Sequence, residues 1–277
     1  MKKLAILCLM VSTVLALSFC AGTAFAEGQW VATDQNIKVW NSFPKPNETA
    51  TWSGPADAEG YANGKGVLQW YQDGKMSEKY EGDMQKGKIT GKGIYSWMDG
   101  ARYEGDFIDG NRSGKGLFIW PNGNRYKGDF LDNKRTGKGL FTWPNGNRYE
   151  GDFLNGKFHG KGHFIWADGE QYKGDYVDGK INGKGLHIAI NGNRYEGDFV
   201  DEKPNGKGIQ ILISGSRYEG DFVNSKPNGK GIWFWPNGDR YEGDFANGSQ
   251  NGYGVFYRAN GEILKGQWVN GKLVGNQ

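Results

Sequence analysis

Eight tyrosines, at positions 80, 103, 126, 149, 172, 195, 218 and 241, stand 23 residues apart. Glycines at 100, 123, 146, 169, 192, 215, 238 and 261 keep the same step, as do "GKG" triplets beginning at Gly91, Gly114, Gly137, Gly160, Gly183, Gly206 and Gly229, with "GYG" at Gly252. A period of this length constrains architecture more than composition does. Each unit is one supersecondary element too small to hide its own apolar face, and only stacking on neighbours completes the core. Regular units fill residues 80–263; an irregular unit (51–79, with Trp52 and Trp70) precedes them and a truncated one (264–277, "LKGQWVNGK") follows.

A unit holds an aromatic and β-branched run ("GLFIW"), then Asn-Gly or Asp-Gly, then a second run ("RYKGDF"). Two such runs joined across Asn-Gly mark a β-hairpin, because the turn needs the positive φ that Asn and Gly tolerate. Helical periodicity is absent. The expected fold is all-β, an elongated single-layer antiparallel sheet built as a hairpin solenoid of about 18 strands. With Asn122-Gly123 as the tip, Trp120 faces Arg125, Ile119 faces Tyr126, Phe118 faces Lys127 and Leu117 faces Gly128. Opposed residues share a face. The expected core face is therefore Leu117, Ile119, Tyr126 and Phe130, leaving Phe118, Trp120, Arg125, Lys127 and Asp129 on the other.

Among 277 residues, 47 are glycine and only 37% are hydrophobic, but 11 Trp, 14 Tyr and 15 Phe set the chain apart from disordered sequences. The N-terminus reads as a bacterial-type export signal over residues 1–26: Lys2 and Lys3, an apolar run from Leu4 to Phe19, then Ala24-Phe25-Ala26 as a small-x-small cleavage site. Cleavage would place the chain in the periplasm or outside the cell, with Glu27 first. Both cysteines, Cys8 and Cys20, lie in the removed segment, so no disulfide is expected. The remaining chain carries 32 basic against 31 acidic side chains, which argues against a nucleic-acid binder or a polybasic membrane clamp. Residues 27–50, with Trp30, Trp40 and "FPKPN", are expected to form a terminal cap on the repeat domain of residues 51–277.

The stretch "YEGDFLNGKFHGKGHFIWADG" (residues 149–169) resembles the MORN repeat, the membrane occupation and recognition nexus motif of tyrosine-x-glycine, glycine-lysine-x-x-glycine-x-glycine and a late aspartate- or asparagine-glycine. The resemblance covers roughly four fifths of the chain after the signal. The position of His159 becomes Thr90, Ser113, Thr136, Asn182, Asn205, Asn228 or Asn251 elsewhere, so His159 gains no special role. The resemblance implies a single-layer antiparallel sheet serving as a scaffold for proteins, with phospholipid binding claimed for some members.

One irregularity marks a candidate site. Tyr95 with Trp97, Phe118 with Trp120, Phe141 with Trp143 and Phe164 with Trp166 form an unbroken series; His187 with Ala189 and Gln210 with Leu212 interrupt it, and Trp233 and Trp235 restore it. These rings either cap the sheet by stacking on Arg125 and its equivalents, or Trp97, Trp120, Trp143 and Trp166, with Phe118, Phe141 and Phe164, line a track for a peptide segment or glycan chain. Equivalent rings should lie roughly 10 Å apart, two strands on.

Catalysis finds little support. His159 and His163, four apart in a strand, are about 13 Å apart and cannot share a metal, and His187 falls on the face opposite His163. Glu104 with Asp106 and Glu150 with Asp152 recur beside Arg102 and Arg148, which reads as a ladder of ion pairs rather than a calcium or glycosidase site. "GKG" lacks the rest of a phosphate loop; its glycines are expected to permit a bend and its lysine to cover a sheet edge. The expectation is a non-enzymatic exported scaffold with no cofactor or metal. Its partner would be another protein or a second copy of the chain; an envelope glycan or phospholipid is the alternative, and nucleic acid is not expected.

Overall fold

The computed structural model describes residues 28–276, so the expected signal segment, with Cys8 and Cys20, lies outside them. The described residues are β throughout, without a helix, and divide into two compact units between Lys157 and Phe158. The first opens with a separate hairpin, β1 (Gln29–Ala32) and β2 (Lys38–Asn41), followed by β3 (Glu48–Trp52), β4 (Gly64–Gln72), β5 (Lys75–Gln85), β6 (Lys88–Trp97), β7 (Arg102–Ile108), β8 (Asn111–Ile119), β9 (Arg125–Leu131), β10 (Lys134–Thr142) and β11 (Arg148–Leu154). From β3 to β11 every strand pairs antiparallel with the next. The second unit runs β12 (Lys157–Ile165), β13 (Gln171–Val177), β14 (Lys180–Ile188), β15 (Arg194–Val200), β16 (Lys203–Ile211), β17 (Arg217–Val223), β18 (Lys226–Phe234), β19 (Arg240–Ala246), β20 (Ser249–Tyr257), β21 (Ile263–Val269) and β22 (Lys272–Asn276), paired in the same sequential way.

Two connections alternate. Between β8 and β9, Trp120 N–H donates to Asn124 O and Gly123 N–H to Trp120 O, both at 2.9 Å, with Gly123 at φ +82°. This is a three-residue loop, and Pro121 presets its first dihedral. The two-residue turn with both residues left-handed sits instead at the far end of β9, at Asp132 (φ 45°) and Asn133 (φ 67°), and again at Asn155 and Gly156.

The extra loop residue corrects the sequence-based face assignment. Ile119 lies opposite Arg125, Phe118 opposite Tyr126, Leu117 opposite Lys127 and Gly116 opposite Gly128. A slip of one residue exchanges the faces of a strand. Phe118 and Trp120 therefore join Tyr126 and Phe130, while Leu117 and Ile119 share the opposite, outer face with Arg125, Lys127 and Asp129.

The core lies on the tyrosine face. The Tyr126 phenol donates to Asp129 O at 2.9 Å and Thr136 O at 3.3 Å, and the residue is 0% exposed. To reach these acceptors the ring lies down across the pleat. A Cβ on Gly128 would sit 2.5 Å from its oxygen and one on Gly139 2.4 Å from its Cε2, so both positions are closed to any other residue. Phe130 meets the Tyr126 ring edge-on at 5.1 Å, and Phe153, one repeat later, does so at 4.9 Å. In the second unit Tyr195 stands likewise between Phe199 at 5.1 Å and Phe222 at 4.9 Å. Such pairs contribute about 0.5–1.5 kcal/mol each beyond the area they bury, and here they cover one face of the sheet.

The first glycine of "GKG" occupies a β-bulge: the β9–β10 register shifts between Thr136 and Gly139, and Gly137 takes φ +54°. The triplet's lysine does not cover an edge. Lys115 reaches across the outer face to Asp129 Oδ1 at 2.5 Å, and Asp129 Oδ2 accepts Lys138 N–H at 3.2 Å. One carboxylate thus fastens three strands, as Asp198 does with Lys184 Nζ at 2.7 Å and Lys207 N–H at 3.0 Å.

Candidate functional site

Because Phe118 and Trp120 lie on the tyrosine face, the aromatic series becomes continuous there. Within the first unit the centroids step from Tyr95 to Trp97 (4.5 Å), Phe118 (5.6 Å), Trp120 (4.5 Å), Phe141 (5.3 Å) and Trp143 (4.4 Å). Neighbouring planes are tilted by 36° to 46°, like shingles. Equivalent tryptophans are not isolated platforms, since a phenylalanine fills each interval. Phe118 and Phe141 are buried, whereas Trp97, Trp120 and Trp143 are half-buried. The three tryptophans thus keep part of their surface open along the row.

The cations beside these rings are not the expected ones. Arg125 lies on the outer face; the guanidinium carbons of Arg112 and Arg135 stand 4.9 Å from the Phe118 centroid and 5.1 Å from that of Phe141. Arg135 also lies 5.6 Å from the Trp120 ring. Arg112 donates from Nε to Asn133 Oδ1 and from Nη2 to Asn133 O, both at 3.2 Å, and Arg135 donates from Nη2 to Gly156 O. Burial lowers both guanidinium groups, that of Arg135 to about 10. Sequence reasoning missed this pair, although its signal was present. The same repeat position holds Ile89, Phe158, Ile181, Pro204, Pro227 and Gln250, so two arginines there break the pattern.

In the second unit Phe164 and Trp166 lie 4.5 Å apart with their planes tilted by 43°. His187 takes the place of a phenylalanine, and its Nε2 lies 2.6 Å from Oε1 of Glu170, which is 6% exposed. The gap in the aromatic series is thus a buried polar pair. Further on, Trp233, Trp235 and Phe256 resume the row at 6.0 and 5.2 Å.

The outer face is a field of ion pairs. Arg102 meets Glu104 at 2.8 Å, and Arg148–Glu150 and Arg217–Glu219 repeat the contact. The hydrogen bond from Lys92, with a second from Lys115 N–H, holds Asp106 below the ordinary carboxylate range. Burial pushes the core phenols up, those of Tyr103 and Tyr241 to about 12. Among the described residues no three His, Cys, Asp or Glu side chains come together to hold a metal. His163 and His187 fall on opposite faces, His163 opposite Lys173 and His187 opposite Tyr195. The same small constellation of ring, glycine and ion pair recurs from repeat to repeat.

This chain belongs to the MORN repeat family. The family model for the MORN repeat matches residues 58–75, 80–102, 103–125, 126–148, 149–171, 172–194, 195–217, 218–240, 241–263 and 265–276. Comparison with curated proteins gives no match. Among solved structures the chain is similar to the SAS-4 (dCPAP) TCP domain of Drosophila melanogaster in complex with a proline rich motif of Ana2, at 15% identity, TM-score 0.36, covering 56% of this chain and 85% of that one. It is also similar to the CPAP G-box domain, at 12% identity, TM-score 0.30, covering 65% and 100%. Likeness at these scores says nothing about partners.

Proposed function

We propose that this chain is an exported MORN-repeat scaffold that binds another protein along the aromatic row of its first unit. The observation that carries the reading is the unbroken series from Tyr95 to Trp143, whose three tryptophans keep part of their surface open on a rigid sheet. Half-buried aromatic side chains held in one conformation lose little entropy on binding and contribute large apolar area, which is why they dominate protein interfaces. Sugars stack on flat, isolated rings, whereas each indole here has tilted ring neighbours at 4.4–5.6 Å; a protein segment that inserts side chains along an uneven aromatic row fits better. Export rests on Lys2, Lys3, the apolar run Leu4 to Phe19 and the site at Ala24-Phe25-Ala26.

The test is affinity capture from the native envelope with the intact chain, with Trp97→Ala/Trp120→Ala/Trp143→Ala, and with the outer-face control Ile108→Ser/Leu131→Ser. The expected result is one protein retained by the intact chain and the control and lost from the tryptophan variant. If the retained protein is a second copy, light scattering will give a doubled mass that the tryptophan variant restores to the monomer. Equal retention by all three would overturn the reading.

A further inference from the structure

Resting on that reading, we infer that the occupant of the aromatic row is an acidic segment in polyproline II conformation, with carboxylates at every third residue meeting Arg112 and Arg135.

The cations of this protein fall into two settings. On the outer face the triplet lysines meet aspartates, as Lys92 meets Asp106, Lys115 meets Asp129 and Lys138 meets Asp152. Lys127, Lys173 and Arg194, which have no ion pair among the described residues, are exposed, whereas Arg112 and Arg135 are half-buried against the rings: among the described residues neither is paired with a carboxylate, and their chain partners are Asn133 and a backbone carbonyl. Nor does the packing require a cation. Repeats with isoleucine, phenylalanine or proline at this position build the same edge-on ring ladder around it, as Tyr172–Tyr176, Tyr195–Phe199 and Tyr218–Phe222. A half-buried guanidinium costs desolvation that an aliphatic side chain would not.

The remaining donors point the same way. No guanidinium nitrogen of either arginine, and neither indole nitrogen of Trp97 and Trp120, is buried without a partner, so the donors that the chain leaves unused open to solvent. Carboxylates at the start of the row are already engaged: Glu78 by Lys45 at 3.0 Å and by the Tyr95 hydroxyl, Glu48 by Asn41 and the Lys45 N–H, and Asp99 by the Ala101 N–H. From Trp97 to Trp143 the surface therefore offers donors and rings. Its complement carries acceptors: carboxylates for the two forks and backbone carbonyls for the indoles.

Spacing selects the conformation. Arg112 and Arg135 hold the same position in successive repeats, two strands apart, which is about 9.6 Å across a sheet. A polyproline II chain turns once in three residues and rises about 9.3 Å per turn, so residues i and i+3 face the same way at nearly this distance. A β-strand puts i and i+3 on opposite sides. Such a chain lying across the strands would keep step with the rungs.

The test is fluorescence polarisation of the intact protein with labelled repeating peptides, Pro-Leu-Glu, its Pro-Leu-Gln counterpart, and Pro-Leu-Ala-Glu, whose acids fall out of step. Arg112→Ile and Arg135→Phe copy side chains that sister repeats already carry, so the sheet is kept, which circular dichroism checks. Pro-Leu-Glu should bind at least about tenfold more tightly than the other two, and each arginine substitution should weaken it by about tenfold while leaving Pro-Leu-Gln unchanged. Equal affinity for all three peptides, or no binding, would overturn the inference. If Trp120→Ala/Trp143→Ala then abolished that equal binding, the aromatic reading would survive its loss. Arginine-dependent binding that ignores the tryptophans would instead sink the aromatic reading. Arginine-dependent binding of polygalacturonate, without the peptide, would assign the anion to a glycan and overturn the peptide.

Discussion

The ring of Tyr126 lies across the backbone of Gly139, so close that a Cβ there would come 2.4 Å from Cε2 and 2.6 Å from the phenol oxygen. This contact recurs as Tyr103 over Gly116 and Tyr195 over Gly208. It links the two most regular signals in the sequence, the tyrosine and the last glycine of "GKG", through a single requirement for space.

Gly139→Ala must therefore displace Tyr126 or part the strands. Overpacking of this kind costs about 1–3 kcal/mol. Gly275→Ala, where a new Cβ would meet nothing within 4 Å, should leave stability unchanged. Urea unfolding followed by circular dichroism compares the two.

The buried phenols make stability fall in alkali. A group whose pKa is raised by folding stabilises fully below its unfolded value and loses that contribution as pH climbs through the folded one. For Tyr103 and Tyr241 the window runs from 10.0 to about 12. Thermal midpoints should hold up to the lower limit and drop across the window, with tyrosinate absorbance rising together with unfolding.

Asp106 separates a surface ion pair from a backbone anchor. It accepts the Lys92 ammonium at 3.0 Å and Lys115 N–H at 3.0 Å, and the lysine side chain is 85% exposed. Lys92→Met should cost less than about 1 kcal/mol. Asp106→Ala, which strips the bulge of its acceptor, should cost about 1.5–3 kcal/mol. The folded carboxyl is lowered, so its contribution is present above the ordinary value of 3.8 and disappears as pH falls through the folded one. Denaturation midpoints across acid pH should show the variant and the parent converging.

His187→Phe would restore the aromatic series but strand Glu170 without its partner. Leaving a buried polar group without its hydrogen-bond partner costs about 1–3 kcal/mol. Adding Glu170→Asn, the residue found at Asn124 and Asn147, should recover most of the loss. A double-mutant cycle on unfolding free energies gives the coupling.

The period, the hairpins and the all-β class were legible in the sequence because each depends on local chemistry repeated eight times. The faces were not. Asn122-Gly123 carries the signature of a two-residue turn, yet Pro121 and the hydrogen bond from Trp120 to Asn124 add one residue, and a strand's period of two turns that residue into an exchange of sides. Attention to Pro121 would have flagged it, since proline suits the first position of the longer loop. The tryptophans were found as a series but placed beside Arg125. Arg112 and Arg135 escaped notice because they interrupt a position that varies among Ile, Phe, Pro and Gln rather than an invariant one.

The most direct measurement is photo-crosslinking of the full chain in its native cell, with a benzophenone amino acid placed singly at Trp97, Trp120 or Trp143, and at Ile108, Leu131 or Leu154 on the outer face. The expected result is a discrete protein adduct from the tryptophan positions and none from the outer ones. Adducts confined to Ile108, Leu131 and Leu154, or no protein adduct from the tryptophan row, would contradict it.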